Sequence, residues 1–257
     1  MKTSTNILLV FLFMACTSVP DERMTSYVDF PETRELTSRT LTLDSALFRY
    51  PYRVRVQDDK AVVFDLHGTE YFFHAFHYPG FHYLSSFGKR GDAPEEMLSA
   101  ENLRWNGNFL WTLDSNKSEL TRLGFASSGD SLLRLETVSL DEEQLRALDF
   151  VQYDDSTFII PDYSGDGRFC LVSRQGRLLR KIGTIPTTNE DALKNARPAL
   201  AQAWRSFIDY NPRNGVLAAV TQLGEVLEIF NLKDSTHVVR IGPHGEPEFK
   251  ISQGYGI

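Results

Sequence analysis

Cysteine is nearly absent from this chain: only Cys16 and Cys170 occur in 257 residues. Two cysteines cannot build the disulfide framework of a small secreted scaffold, so the fold must be held by its core. With 42% hydrophobic residues, the chain is long enough to bury one. Cys170 lies in the apolar run "RFCLVS" and is expected to act as a small buried hydrophobe. Basic charge is in deficit, with 27 Lys and Arg against 34 Asp and Glu, a net charge of −7. That balance opposes phosphate binding and speaks against a nucleic-acid partner. Several chemistries lack their motifs as well: there is no G-x-S-x-G, H-E-x-x-H, C-x-x-C or G-K-S/T.

The apolar run Ile7 to Ala15 has nine residues, far short of the roughly 20 that a membrane-spanning helix needs. It fits the hydrophobic region of an export signal, with Lys2 before it. The run ends Phe13-Met14-Ala15-Cys16, which resembles a bacterial lipoprotein signal with Phe13 in place of the usual Leu. The resemblance implies that 1–15 is removed, that Cys16 is acylated, and that the protein sits in the cell envelope on the outer membrane, facing the periplasm or the surface. An ordinary secretory signal is the alternative. Residues 16–38 are polar and contain proline, as expected of a tether, so membrane contact would come through lipid rather than a basic patch.

From about residue 39 onward, period-2 segments rich in Val, Ile, Phe, Tyr and Leu alternate with Gly, Asn and Asp turns. This predicts an all-β domain over 39–257. Segments beginning "YRVRV" at 52, "NLRWN" at 102, "LDFVQ" at 148 and "FIDYN" at 207 can be overlaid, each followed by three further strand-like runs. Their second strands run into Asp65, Asp114, Asp162 and Gln222, at intervals of 49, 48 and 60 residues. A repeat of roughly 40–50 residues with four strands is the mark of a β-propeller of antiparallel blades. The longer last interval carries an insertion at about 187–206, whose Leu193, Ala196, Leu200, Ala203 and Trp204 recur at helical spacing, with Pro198 as a break.

Twice a G-x-x-G sequence followed by Pro-Glu ends a blade: Gly88, Gly91, Pro94 and Glu95 in "FGKRGDAPEEML", and Gly242, Gly245, Pro247 and Glu248 in "GPHGEPEF". Glycine permits the turn from the outermost strand back to the axis, and Asp92-Ala93-Pro94-Glu95 is expected to open a short capped helical turn. These motifs, together with "LWTLDSNKSELTRLGF", resemble the TolB-like, NHL-like six-bladed propeller lipoproteins. The resemblance implies a ring of six blades, whereas this chain accommodates about four plus an N-terminal strand, "RTLTLDSALF". Two alternatives stay open: an incomplete six-bladed ring, which is the favoured expectation, or closure with four. An open arc would expose apolar blade faces and favour association.

Asp65, Asp114 and Asp162 are expected to bond turn amides rather than to form a carboxylate ring. Asn102, Asp149 and Asp209 lie near the starts of first strands, which line a propeller's channel. They could offer oxygens to a divalent cation, although they fall one residue out of register. The tract "FFHAFHYPGFHY" places His74, His77 and His82 close together, but His74 and His77 have opposite parity on a strand. Its aromatics can be packing or a stacking surface for glycan or peptide. "DYSGDG" resembles part of a calcium loop without the closing glutamate. The expected function is that of a lipid-anchored binding or protein-interaction module with no cofactor, its partner a protein or glycan. The alternative is a propeller hydrolase with a cation in the channel.

Overall fold

The computed structural model describes residues 24–27, 31–41, 43, 48–144 and 146–249. Cys16, the signal and the chain from 250 onward lie outside the described residues. The first described strand, β1 (Met24–Ser26), falls within the segment expected as a tether and pairs in parallel with the last strand of the domain. Four antiparallel sheets follow, each of four strands in sequential order. The first blade comprises β2 (Pro51–Gln57), β3 (Lys60–Asp65), β4 (Tyr71–His77) and β5 (His82–Lys89). The second holds β6 (Ala100–Asn106), β7 (Phe109–Asp114), β8 (Glu119–Phe125) and β9 (Leu132–Ser139). The third holds β10 (Val151–Asp154), β11 (Thr157–Pro161), β12 (Phe169–Ser173) and β13 (Leu178–Ile182). Then come α1 (Glu190–Asn195) and α2 (Arg197–Ala203), and the fourth blade, β14 (Ser206–Asn211), β15 (Val216–Thr221), β16 (Val226–Asn231) and β17 (Thr236–Ile241). The described residues thus form an all-β, four-bladed propeller arrangement, and β1 extends the fourth blade as a fifth strand.

Apolar cores fill three interfaces between consecutive blades. Phe64, Phe73 and Phe87 meet Leu103 and Leu110 between the first and second. Trp111 and Leu120 meet Phe158 and Cys170 between the second and third. Ile159 and Phe169 meet Leu217 and Phe230 between the third and fourth. The second strands record this in their burial. β7 is buried from Leu110 onward and β11 throughout, because each is covered on both faces. β3 is buried from Ala61 onward, its other face being covered by Leu43, Phe48 and Phe81. Leu43 and Phe48 come from the segment expected to be an N-terminal strand, but neither residue is in a strand. β15 differs: Leu217, Ala219 and Thr221 are buried, while Val216, Ala218 and Val220 are not, so one face of the fourth blade is left without a blade against it.

The helical insertion packs against the other part of that blade. Ala192, Leu200, Ala201 and Trp204 join Val226 and Val239 in one buried cluster. Pro198 sits in the first turn of α2, where a missing N–H is tolerated, and the two helices meet at Ala196.

The repeated aspartates tie the blades' turns together. Asp114, 3% exposed, accepts amides from Leu98 at 2.7 Å, Ser99 at 3.2 Å, Asn116 at 3.0 Å and Lys117 at 3.1 Å. Asp65 accepts from Arg49 and Tyr50 at 2.9 and 2.6 Å, and Asp162 from Ser164 and Gly167 at 3.0 and 2.9 Å. Each joins the end of a second strand to a neighbouring loop. Asp114→Ala strands buried donors and is expected to cost about 2 kcal/mol in urea unfolding, with Asp114→Asn recovering part of it. A variant as stable as the parent would show that these amides find water instead.

In the interblade motif, Gly88 has φ +65° and its missing Cβ would meet the Phe73 ring at 2.7 Å. Gly245 has φ +74°, and Gly242 donates to Glu225 O at 2.7 Å. Pro247 is buried, whereas Pro94 and Glu248 are exposed. The expected capped helical turn is a single turn, closed by Glu96 N to Ala93 O at 2.9 Å. Its folding-back glutamate is Glu96 rather than Glu95: Glu96 accepts from Ala93 N at 3.3 Å and Lys89 Nζ at 2.7 Å. Glu95 faces solvent and only brushes Arg134 at 3.4 Å. The turn aims the buried Met97 into the core between the first two blades.

Candidate functional site

At the axis the first strands are linked by a belt of side chains. Arg53 Nη1 donates to Asn102 Oδ1, Asn102 Nδ2 donates to Asp149 Oδ1, and Ile208 N donates to Asp149 Oδ2 at 3.2 Å. The belt runs through the four blades in order, and Arg53 completes it only by lying over the Phe207 ring at 5.4 Å. Asn102 and Asp149 occupy equivalent places, each accepting the amide of the following residue at 2.8 Å. Their one-residue offset in sequence comes from a bulge between Gln152 and Asp154, which adds a residue to β10.

Arg104 alters the chemistry of this group. It approaches Asp149 Oδ1 at 3.2 Å and Asp209 Oδ1 at 2.8 Å, and also donates to Ile208 O. Asp209 does not join the belt, since its side chain is 78% exposed and reaches the axis only through Arg104. Asn102, Asp149 and Asp209 therefore do not form a cation site. A guanidinium already stands against both carboxylates, and a second cation there would be repelled. Among the described residues, no group of three or more His, Cys, Asp and Glu converges on a point.

Between the fourth and first blades lies an open cleft of about 410 Å³. Arg53, Arg55, Arg104, Asp149 and Asp209 are its charged lining, and Tyr52, Phe207, Ala218 and Val220 bring apolar surface. Three arginines thus face two aspartates within a protein of net charge −7. Arg55 donates Nε to Leu103 O at 3.4 Å, and no carboxylate among the described residues forms an ion pair with it. Burial, with Arg104 and Arg53 nearby, pushes its pKa down to about 10. A second cavity, of about 420 Å³, shares Arg55, Arg104 and Asp209 and is walled by Trp105, Tyr153 and Tyr210.

The other sequence candidates have structural partners. In "DYSGDG" the place of a metal ion is taken by an ammonium: Lys181 Nζ reaches Ser164 Oγ at 2.6 Å, Asp162 Oδ2 at 3.2 Å and Asp166 Oδ2 at 3.4 Å. His74 bonds Ser86 Oγ through Nδ1 at 2.8 Å, and burial lowers its pKa, whereas His77 pairs with Asp59 at the surface and His82 is exposed. Phe72, Phe73 and Phe76 are fully buried, so that part of the aromatic tract is packing, whereas Tyr78 and Tyr83 are exposed. Cys170 is buried and its thiol is pushed up to about 12 by burial, which leaves it unreactive. Arg55 and Arg104 were not legible as a pair, since they lie 49 residues apart in different blades. Their only signal is that they fall one repeat apart, two residues past Arg53 and Asn102.

A family model described as TolB-like 6-blade propeller-like matches residues 29–256. Among solved structures, an exported protein of Bacteroides fragilis is 9% identical with a TM-score of 0.52, over 84% of this chain and 79% of that one. A DUF4221 family member of Bacteroides vulgatus is 10% identical with a TM-score of 0.54, over 83% of this chain and 66% of that one. A functionally unknown Desulfotomaculum acetoxidans protein is 14% identical with a TM-score of 0.44, over 72% of this chain; the chain spans 53% of its length. No curated protein matches. The first two likenesses establish the fold alone. The described residues build four blades where the family description has six, and on the breadth of that match the chain belongs to the TolB-like six-bladed propeller-like family.

Proposed function

We propose that this protein is an exported, ligand-binding propeller of the cell envelope, anchored by lipid at Cys16, with its ligand in the cleft between the fourth and first blades. One observation carries the binding site. Three blade interfaces are filled by apolar cores, while the fourth presents a cavity lined by Arg53, Arg55 and Arg104 beside an uncovered apolar wall. Ligand sites are concave, mostly apolar and fitted with a few polar groups, which describes this cleft. The exported name of the Bacteroides fragilis protein and the lipoprotein-like sequence ending at Cys16 support the envelope address.

Native mass spectrometry of the protein purified from its own envelope tests both parts. The expected species begins at acylated Cys16 and carries a small non-covalent adduct. That adduct should be lost from a folded Val220→Trp variant, whose indole fills the cleft. A chain without acyl mass would remove the anchor, and an adduct retained by the variant, or none in the parent, would remove the cleft.

A further inference from the structure

Resting on that reading, we propose that the cleft takes a small carboxylic acid with an apolar body, the carboxylate seated on Arg55 and the body lying along Phe207, Ala218 and Val220.

The argument begins with the charges. Arg104 is committed to Asp149 and Asp209, and Arg53 to the Asn102 side-chain oxygen. Arg55 has a single long bond to a backbone carbonyl. Partly removed from water and beside two other guanidiniums, it feels Asp209 and Asp149 only at a distance, both being paired with Arg104, and an anion bound in direct contact relieves the remaining penalty. The buried Nε of Arg104 also lacks an acceptor among the described residues. A guanidinium offers paired donors in a plane, which suits a carboxylate's two oxygens.

The opposite wall decides what the carboxylate is attached to. Phe207 is 42% and Val220 47% exposed, and Ala218 lies between β14 and β16 on the same face. Leu227, Ile229 and Val238 continue that face and are half-buried. An inorganic anion would leave this surface in water, whereas a ligand with an alkyl or aryl body would cover it, at about 25 cal/mol for each Å². The negative charge of the protein as a whole disfavours anions at long range, so the body also contributes the affinity that steering does not.

Calorimetric titration with octanoate, octanamide and inorganic phosphate separates the parts. Octanoate should bind at least tenfold more tightly than octanamide, and phosphate should not bind measurably. Arg55→Met, which keeps an apolar stem, should weaken octanoate about tenfold or more and leave octanamide unchanged, since only the carboxylate loses a charge-assisted hydrogen bond. Circular dichroism confirms that the variant is folded. Equal affinities for octanoate and octanamide would overturn the carboxylate assignment while leaving the cleft as a ligand site. Phosphate binding as tightly as octanoate would overturn the apolar body. Failure of all three probes would overturn the inference, and the native adduct then decides separately whether the cleft binds anything.

Discussion

Glu228→Ala should lower the free energy of unfolding by about 3–5 kcal/mol, because it leaves a buried guanidinium without its counter-charge. Arg168 is 1% exposed and Glu228 0%. Glu228 Oε1 accepts Arg168 Nε at 2.8 Å and Nη2 at 2.6 Å, and Nη2 also donates to Ser206 Oγ at 2.6 Å. The Arg168 guanidinium lies over the rings of Phe169 at 5.2 Å and Trp204 at 5.9 Å, so it cannot swing into water without opening the packing around it. The pair pins the third blade to the fourth, since Arg168 precedes β12 and Glu228 lies in β16. Urea unfolding followed by circular dichroism measures the loss. The paired change Arg168→Met with Glu228→Leu should recover most of it, because an apolar pair of similar volume carries no desolvation cost. A loss below about 1 kcal/mol in Glu228→Ala would mean that water reaches the arginine and that the bridge behaves as a surface pair.

That bridge was invisible in the sequence, whereas the blades were not. Hairpin turns declare themselves because few residues tolerate the backbone they need: Gly107 at φ +53° and Gly215 at φ +78° sit in turns expected from the sequence. The second strands are legible because burial on both faces demands unbroken apolar runs. Arg168 and Glu228 carry no such signature, being 60 residues apart and each preceded by ordinary strand or turn chemistry.

The cleft was hidden for a related reason. In "YRVRV", period-2 alternation puts Arg53 and Arg55 on one face and Val54 and Val56 on the other, but alternation does not say which face meets water. Here Val54 and Val56 are 47% and 45% exposed, and the arginines point to the axis. A sequence rule that sends charge outward assigns this strand backwards, because the inside of a propeller is itself a wet surface. The alternative of a cation between the carboxylates stays open in the sequence for the same reason: their shared partner, Arg104, comes from another blade, and register between blades is a product of packing and of the bulge in β10, not of local pattern.

Trp111→Ala should cost a further large amount, about 3–5 kcal/mol, through the cavity it leaves between the second and third blades. Trp111 is 1% exposed, meets the Phe158 ring edge-on at 5.0 Å, and is covered by the Arg174 guanidinium at 5.1 Å. Arg174 in turn bonds Glu136 across the same interface at 3.0 and 2.6 Å, so the indole supports both an apolar and an ionic contact between the blades. Its loss should also change the form of the transition. Blades are coupled only through their interfaces, as repeats are in a solenoid, and the belt of Asn102 and Asp149 is a thin second link here. The parent should unfold with coincident circular dichroism and tryptophan fluorescence, while the variant should broaden, with the fluorescence of its two remaining tryptophans, Trp105 in the second blade and Trp204 packed on the fourth, departing from the dichroism. Trp111→Phe should keep most of the stability and the single transition. A Trp111→Ala protein that lost stability yet still unfolded in one step would place the coupling in the axial belt instead, and Asn102→Ala would then be the variant that splits the transition.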